Sequence, residues 1–298
     1  MMPLNSTESA AAEALIDLAL REDLADKGDR TTLALIPPDL PGAAYFVARK
    51  PGILAGVPVA EKVFRAVDPA VTFQPLREDG SRLMPGDRIA KISGPMRGIL
   101  VGERTALNFM QRLSGIATQT RRYVVQVAGI SVTLLDTRKT TPGWRLLEKY
   151  AVRCGGAANH RIGLFDGILI KDNHLAAVRG HGSKPDAVRQ AIRLARAAEP
   201  NLTIEVEVED LDQLDAALDE KPEIVLLDNM SQDTLREAVR RRNATAPAVL
   251  LEASGGVTLE TVRAIAETGV DRISIGALTH SAVALDIALD YESSSAIG

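Results

Sequence analysis

A chain of 298 residues with 46% hydrophobic and 25% charged residues has room for one large domain or two, with a sizeable core. Its net charge of −4 and aromatic content of 3% argue against phosphate-backbone binding and base stacking, so nucleic acid is not an expected partner. A single cysteine excludes an internal disulfide and a zinc-finger spacing, and no apolar run approaches the roughly 18 residues needed to cross a bilayer, so a reducing cytoplasm without membrane association is expected.

Residues 8–21 place Ala12, Leu15, Ile16, Leu18 and Ala19 at helical spacing, with neither a basic leader nor a continuous apolar core. This predicts an amphipathic helix rather than a signal peptide. Gly28, Asp29 and the pair Thr31 and Thr32 break that pattern. From Ala43 to about Ile92 the runs AYFVARK, GILAG, VTFQPL and RIAKISG alternate with Pro-Gly and Asp-Gly turns. They predict a small mixed sheet with a helix near 56–66. Two long helical stretches are expected over 98–129, ended by Gly129.

Beyond Gly129 the rhythm changes. Short runs rich in Val, Ile and Leu end near Leu135, Ile170, Val208, Leu227, Leu251 and Ile275, each followed by polar or glycine-bearing residues and usually a helix. Such repetition implies parallel strands joined by helical crossovers. An open doubly wound sheet and a (β/α) barrel both fit. The barrel is favoured because polar residues follow nearly every strand, and in barrels the C-terminal strand ends jointly build the active site. The crossover helices carry plain core faces: Leu211, Leu214, Ala217 and Leu218 behind an Asp210/Gln213 capping pair, and Leu259, Val262, Ile265 and Ala266 before Gly269.

The segment from Asp136 to His174 is the chemical centre of the chain. It holds seven bases against four acids, a formal +3 in an acidic protein, with His160, His174, Trp144 and Cys154. Local charge reversal of this kind suits an anionic small molecule. A solvated helix face is the alternative, but Arg138, Lys139 and Lys171 follow directly on strand-like runs. Cys154 reads as a small buried residue rather than a nucleophile.

Strand 204–209, Ile-Glu-Val-Glu-Val-Glu, puts its valines on one face and its glutamates on the other; in a barrel the glutamates face inward. Glu207 and Asp228 then stand on neighbouring strand ends, where they could hold Mg²⁺ or form salt bridges to Lys139 or Lys171. Both readings stay open for the pair alone. Ser254, Gly255 and Gly256, ahead of a helix expected near Thr258, offer backbone N–H groups to a phosphate, and Gly276 offers a second close approach with His280 just beyond. No Ser-His-Asp order stands out.

The stretches GERTALNFMQRLSGIAT, DTRKTTPGWRLLEKYAVRCGGAANHRIGLFDGILIKDNH, EVEVEDLDQL, LLDN, LEASGGV and ISIGALTH, in this order, closely resemble the quinolinate phosphoribosyltransferase family. The likeness runs from about Leu15 through Asp290. It implies an α/β protein with an N-terminal α/β sandwich-like domain (1–115, joined by a C-terminal helix over 281–298) and an incomplete (β/α) barrel with parallel strands (116–280). It also implies a homodimer or higher homo-oligomer. The implied reaction joins quinolinate to 5-phosphoribosyl 1-diphosphate (PRPP) with loss of CO₂, giving nicotinate mononucleotide and diphosphate for NAD biosynthesis. Carried over residue by residue, Arg138, His160, Arg161 and Lys171, with Thr137, would hold the acceptor. Lys139 would be shared between the substrates, and Arg104 would reach into the neighbouring subunit's site. Glu207 and Asp228 would act through Mg²⁺. Ser254, Gly255, Gly256 and Gly276 would hold the 5-phosphate, with His280 nearby.

Three rivals remain at this stage. A sister phosphoribosyltransferase acting on a monocarboxylate would need fewer arginines. A barrel aldolase would use Lys139 or Lys171 as a Schiff-base nucleophile. A non-enzymatic sensor or structural homo-oligomer would leave Glu207 and Asp228 unexplained.

Overall fold

Period-two patterning dominates residues 41–95 and gives way to helical and alternating α/β segments, and the elements follow that division. The computed structural model describes residues 3–180 and 182–292. The early elements are α1 (Ser6–Leu24), α2 (Arg30–Leu35), β1 (Pro41–Ala48), β2 (Gly52–Ile53), α3 (Val57–Val67), β3 (Thr72–Pro75), β4 (Arg82–Leu83), β5 (Arg88–Pro95) and α4 (Met96–Gln126). Next come β6 (Thr133–Leu135), α5 (Arg145–Gly155), β7 (Ile168–Ile170), α6 (Asp172–Arg179), α7 (Lys184–Ala198), β8 (Ile204–Val208) and α8 (Leu211–Glu220). The chain closes with β9 (Ile224–Asp228), α9 (Gln232–Thr245), β10 (Leu250–Ser254), α10 (Val262–Ala266), β11 (Arg272–Ser274), α11 (Ala277–His280) and β12 (Ile287–Tyr291). No helix among the described residues is long and apolar enough to cross a membrane.

Two compact units result. The first gathers the described residues of Met1–Arg121, Thr140–Gly156 and Leu278–Gly298; the second gathers Arg122–Lys139 and Ala157–Ala277. These contact-based units divide at Arg121 and Arg122, inside α4, and the first takes in the stretch 140–156.

The first unit is built on an antiparallel sheet of order β12-β1-β5-β3. Phe46 of β1, Phe64 of α3 and Phe73 of β3 meet with ring centroids 6.1 Å apart, and Phe46 and Phe64 are fully buried. Each such side chain contributes roughly 1.5–3 kcal/mol by leaving water. The buried Asp79 ties α3 to α5: it accepts the N–H groups of Gly56 (2.7 Å) and Val57 (3.1 Å) at the start of α3, and the Tyr150 hydroxyl at 2.6 Å. Burial pushes its carboxyl above the usual range, against those hydrogen bonds.

Three features of this unit differ from the expectations. α2 follows the Gly28–Asp29 break because Asp29 caps it, accepting the N–H groups of Thr31 and Thr32 at 3.0 Å. α4 is one helix of 31 residues rather than two stretches. Its Gly115 does not break it; a Cβ there would lie 2.1 Å from the Val283 carbonyl oxygen, so the glycine serves a close backbone approach. The helix expected over 281–298 is instead β12, antiparallel to β1 with Tyr291 opposite Ala44. Its alternation explains this, with Ile287 and Leu289 buried and Ala288 and Asp290 less so. Residues 293–298 of that stretch lie outside the described residues.

The second unit holds a parallel sheet of order β6-β11-β10-β9-β8-β7. The first strand lies beside the last and the others follow in rotation, as a barrel requires and a doubly wound sheet does not. The barrel is incomplete because β6 and β7 do not pair. Residues 157–161 run alongside β6 instead, with the Ala158 N–H donating to the Leu134 carbonyl at 2.9 Å and a single bridge from Ala158 to Leu135. Asp210 caps α8 by accepting the Gln213 N–H (2.8 Å) and its side-chain amide (2.8 Å). α10 begins at Val262, later than the sequence suggested, because residues 255–261 form bends and turns.

Candidate active site

Strand alternation decides which side chains enter the barrel. Glu205 and Glu207 on β8, Asp228 on β9, Glu252 and Ser254 on β10 and Ser274 on β11 all occupy the inward parity, while Ile204, Val206 and Val208 are fully buried on the helix side. At the C-terminal ends of the strands lies a cavity of about 610 Å³. That is within the range of small-molecule sites. Thr137, Arg138, Lys139, His160, Arg161, Lys171, Glu207, Asp228, Ser254, Gly255 and Gly256 line it, so eleven of the fourteen expected site residues converge. Leu169, Leu226, Asn229 and Ser274 complete the wall. Gly276 follows β11 without lining the cavity, and Arg104 and His280 belong to the first unit.

The basic stretch 136–174 is therefore split. Arg145 donates to the Thr140 hydroxyl at 3.1 Å, Arg153 pairs with Glu8 at 2.7 Å and Lys149 is buried, all within the first unit. His174 serves local structure through Nδ1, which accepts the Lys171 N–H at 2.9 Å. Cys154 is buried, and that burial, reinforced by the Asp79 charge, pushes its thiol up to about 12, which removes it as a nucleophile.

Within the cavity the cations are distributed unevenly. Lys171 Nζ pairs with Glu207 Oε2 at 2.6 Å. Arg161 donates through Nη1 to the Gly167 carbonyl at 2.9 Å, but its buried Nε has no partner among the described residues, and the same holds for Nε of Arg138. Burial, with the neighbouring Arg138 charge, pulls the Arg161 pKa down. Two adjacent guanidinium groups with unmet buried donors are costly alone and well matched to a dianion.

On the opposite wall, Asp228 accepts its neighbour's Asn229 amide at 2.7 Å, and Asp228 is the register partner of Ser254. Gly255 has φ +95°, and a Cβ there would lie 2.1 Å from Asn229 Oδ1, so this glycine is dictated by the turn. Gly256, at φ +58°, has open space where its side chain would be. The expected helix N-terminus is six residues beyond Gly256, at α10, so the polar groups at the turn are the Ser254 hydroxyl and backbone N–H groups.

Around His160 lies a cluster whose other members, Asp136, Glu205 and Glu252, have no assigned role in the sequence reading. Asp136, fully buried, accepts the Asn159 amide at 2.6 Å and the His160 N–H at 2.9 Å. His160 Nδ1 accepts the Arg161 N–H at 2.8 Å, and Nε2 lies 3.0 Å from Glu205 and 3.4 Å from Glu252. Glu252 in turn pairs with Arg272, its register partner, at 2.9 Å. Burial alone would push the imidazole down, but Glu205 and Glu252 outweigh it and hold His160 up to about 9. Burial raises the Glu205 pKa in the same sense. The alternation of strand 204–209 signals Glu205 as inward; its partner His160 is unreadable without the tertiary fold.

Comparison with known proteins matches two family domains that meet near residue 115. Residues 29–114 match the family described as quinolinate phosphoribosyl transferase, N-terminal domain, and residues 116–290 match its C-terminal domain. The nicotinate-nucleotide pyrophosphorylase (carboxylating) of Mycobacterium leprae is 48% identical over 289 residues, spanning 96% of this chain and 99% of that protein. The structure of the nicotinate-nucleotide pyrophosphorylase from Francisella tularensis superposes with a TM-score of 0.87 at 39% identity, covering 95% of this chain and 96% of that one. Human nicotinic acid phosphoribosyltransferase, at 15% identity and a TM-score of 0.63, shares the fold alone.

Proposed function

The chain belongs to the quinolinate phosphoribosyltransferase family, and we propose that the cavity at its barrel mouth performs the family's reaction with Arg138 and Arg161 on the acceptor dicarboxylate. The reaction joins quinolinate to PRPP and releases diphosphate and CO₂, leaving nicotinate mononucleotide. The observation that carries the assignment of residues is the arginine pair, with two buried Nε donors unmet among the described residues. A planar guanidinium meets a carboxylate bidentately, and two of them match the two carboxylates of quinolinate.

Lys171 and Thr137 complete the acceptor side, and Lys139 stands where both substrates meet. His160 lines the cavity but has both ring nitrogens engaged, so it enters this reading as a support for Arg161 rather than as a direct carboxylate ligand. Ser254, Gly255 and Gly256 receive the 5-phosphate, with Gly276 and His280 assigned to the same end by resemblance. Arg104, exposed on α4 with no hydrogen-bond partner among the described residues, is assigned to the site of a second copy in a homodimer or larger homo-oligomer. A cytoplasmic setting suits the lone buried Cys154, which needs no oxidising compartment.

The donor set fits Mg²⁺: Glu207 and Asp228 present hard carboxylate oxygens at adjacent strand ends, and the cavity offers no thiol. Mg²⁺ bound by these two residues would neutralise charge on the diphosphate. The chain's own groups do the rest. As the C–O bond to diphosphate breaks, positive charge builds on the ribose, and Lys139, shared between the substrates, stabilises the leaving anion. The quinolinate ring nitrogen forms the new C–N bond. The resulting pyridinium accepts the electron pair freed when the adjacent carboxylate departs as CO₂, and that ring carbon takes a proton. Lys171 Nζ is engaged by Glu207 at 2.6 Å, which disfavours it as a Schiff-base nucleophile.

Chromatographic assay of the purified protein with quinolinate, PRPP and Mg²⁺ tests this reading, with nicotinate substituted for quinolinate and with the metal omitted. Metal-dependent nicotinate mononucleotide from quinolinate alone is expected. Turnover of nicotinate alone would overturn the dicarboxylate assignment, and undiminished turnover without metal would overturn the role of Glu207 and Asp228.

A further inference from the structure

We propose that Glu205 and Glu252 are positioning residues for the acceptor half of the site: they hold His160 by Nε2, and His160 through Nδ1 fixes the backbone from which Arg161 reaches its carboxylate. The inference rests on the reading of Arg161 given above. Its basis is geometric. The Glu205 contact at 3.0 Å, the Glu252 contact at 3.4 Å and the Arg161 N–H bond at 2.8 Å engage both ring nitrogens, and the side chains of Glu205, Glu252 and His160 are 5%, 0% and 8% exposed. Buried carboxylates without solvent persist when donors and cations compensate them, and here His160 Nε2 and the Arg272 guanidinium do so.

The same three side chains lie within 4.8 Å of one another, close enough to chelate a cation. Two contacts argue against that use. Nδ1 accepts the Arg161 N–H, which places the ring's proton on Nε2 and leaves that nitrogen no lone pair for a metal; Arg272 already stands 2.9 Å from Glu252. The cluster therefore acts as a brace. It fixes the course of the chain at residues 160–161, where Asp136 adds a bond to the His160 N–H, and leaves the Arg161 guanidinium to face the cavity. A ligand placed by a rigid support loses less affinity to ordering, which is how such a brace contributes to binding.

The test compares quinolinate affinity, by calorimetric titration, and the KM for PRPP in Glu205→Gln, Glu252→Gln, Arg161→Lys and the double variant Glu205→Gln/Arg161→Lys. The amide variants keep side-chain shape and remove the charge. About tenfold weaker quinolinate binding is expected in each single variant, with the PRPP KM changed less than twofold. The double variant should be little weaker than Arg161→Lys, because both changes act on the same guanidinium. Unchanged quinolinate affinity in the glutamate variants, or equal losses for both substrates, overturns the brace. Losses that simply add to those of Arg161→Lys overturn it while leaving the Arg161 assignment intact. An Arg161→Lys variant with unchanged quinolinate affinity overturns that assignment instead. Should Glu252→Gln fail to fold because Arg272 loses its partner, Glu252→Gln/Arg272→Met removes both charges and asks the same question.

Discussion

Both units bury acidic groups, but to different ends. In the first unit Asp79 accepts two helix N–H groups and a tyrosine hydroxyl, and Glu148, fully buried, accepts from Thr141 and pairs with Arg112 at 2.7 Å. Those carboxylates are used up by the fold. In the second unit Glu205 and Glu252 face a histidine whose other nitrogen supports an arginine with an unmet donor. The contrast separates acids that hold structure from acids that, on the proposed reading, hold a cavity-lining cation in place, and it can be pressed experimentally.

The largest effect is expected at Asp79. Asp79→Ala removes the carboxylate that accepts from three buried donors and should cost about 3 kcal/mol in urea denaturation, with little change in KM for either substrate in what remains folded. A selective loss of substrate affinity would blur the contrast. Next is Gly255→Ala, where a positive φ and the 2.1 Å approach to Asn229 predict a loss of about 2 kcal/mol and a PRPP KM raised more than that for quinolinate. Normal stability and kinetics would mean that the turn relaxes freely. Arg138→Lys should lower kcat/KM at least about tenfold, or roughly 1.4 kcal/mol, without altering the melting temperature; unchanged kinetics would remove this residue from the acceptor pocket.

A pH experiment sharpens the comparison further. His160, held up to about 9 against an unfolded value near 6.5, contributes stability that is full below pH 6.5 and is lost as pH rises through about 9. The urea midpoint of the unmodified protein should exceed that of His160→Gln at pH 6 and converge on it at alkaline pH. A widening gap would contradict the glutamate contacts. Smallest of all is Arg236→Ala, which breaks a pair with Asp233 whose carboxylate is 95% exposed and should move stability by less than about 0.5 kcal/mol.

Much of this arrangement is legible in the sequence. The six strand ends fall at or within a few residues of the expected positions, because fully buried parallel strands read as short apolar runs and polar residues follow them. The alternation of Ile204 to Glu209 places two glutamates inside the barrel, and the Ser-Gly-Gly turn is where the sequence put it. Other features are set by partners distant in sequence. Arg145 and Arg153 look like Arg138 and Arg161 in a linear reading, yet Glu8, more than a hundred residues away, claims Arg153 for the first unit. Gly115 gives no sign in the sequence that the chain near Val283 will press against it, and β12 depends on an open edge of β1.

The seam between β6 and β7 has a consequence of its own. A closed barrel would join those strands by a ladder; here residues 157–161 line one side, and the Arg161 guanidinium reaches the Gly167 carbonyl, just before β7, at 2.9 Å. One side chain thus both fastens the cylinder and lines the cavity proposed for the acceptor. If a dicarboxylate occupies it as proposed, the fastening tightens, and deuterium uptake along 157–161 and 167–170 should slow as the ligand saturates while the paired strands β8, β9 and β10 stay unchanged.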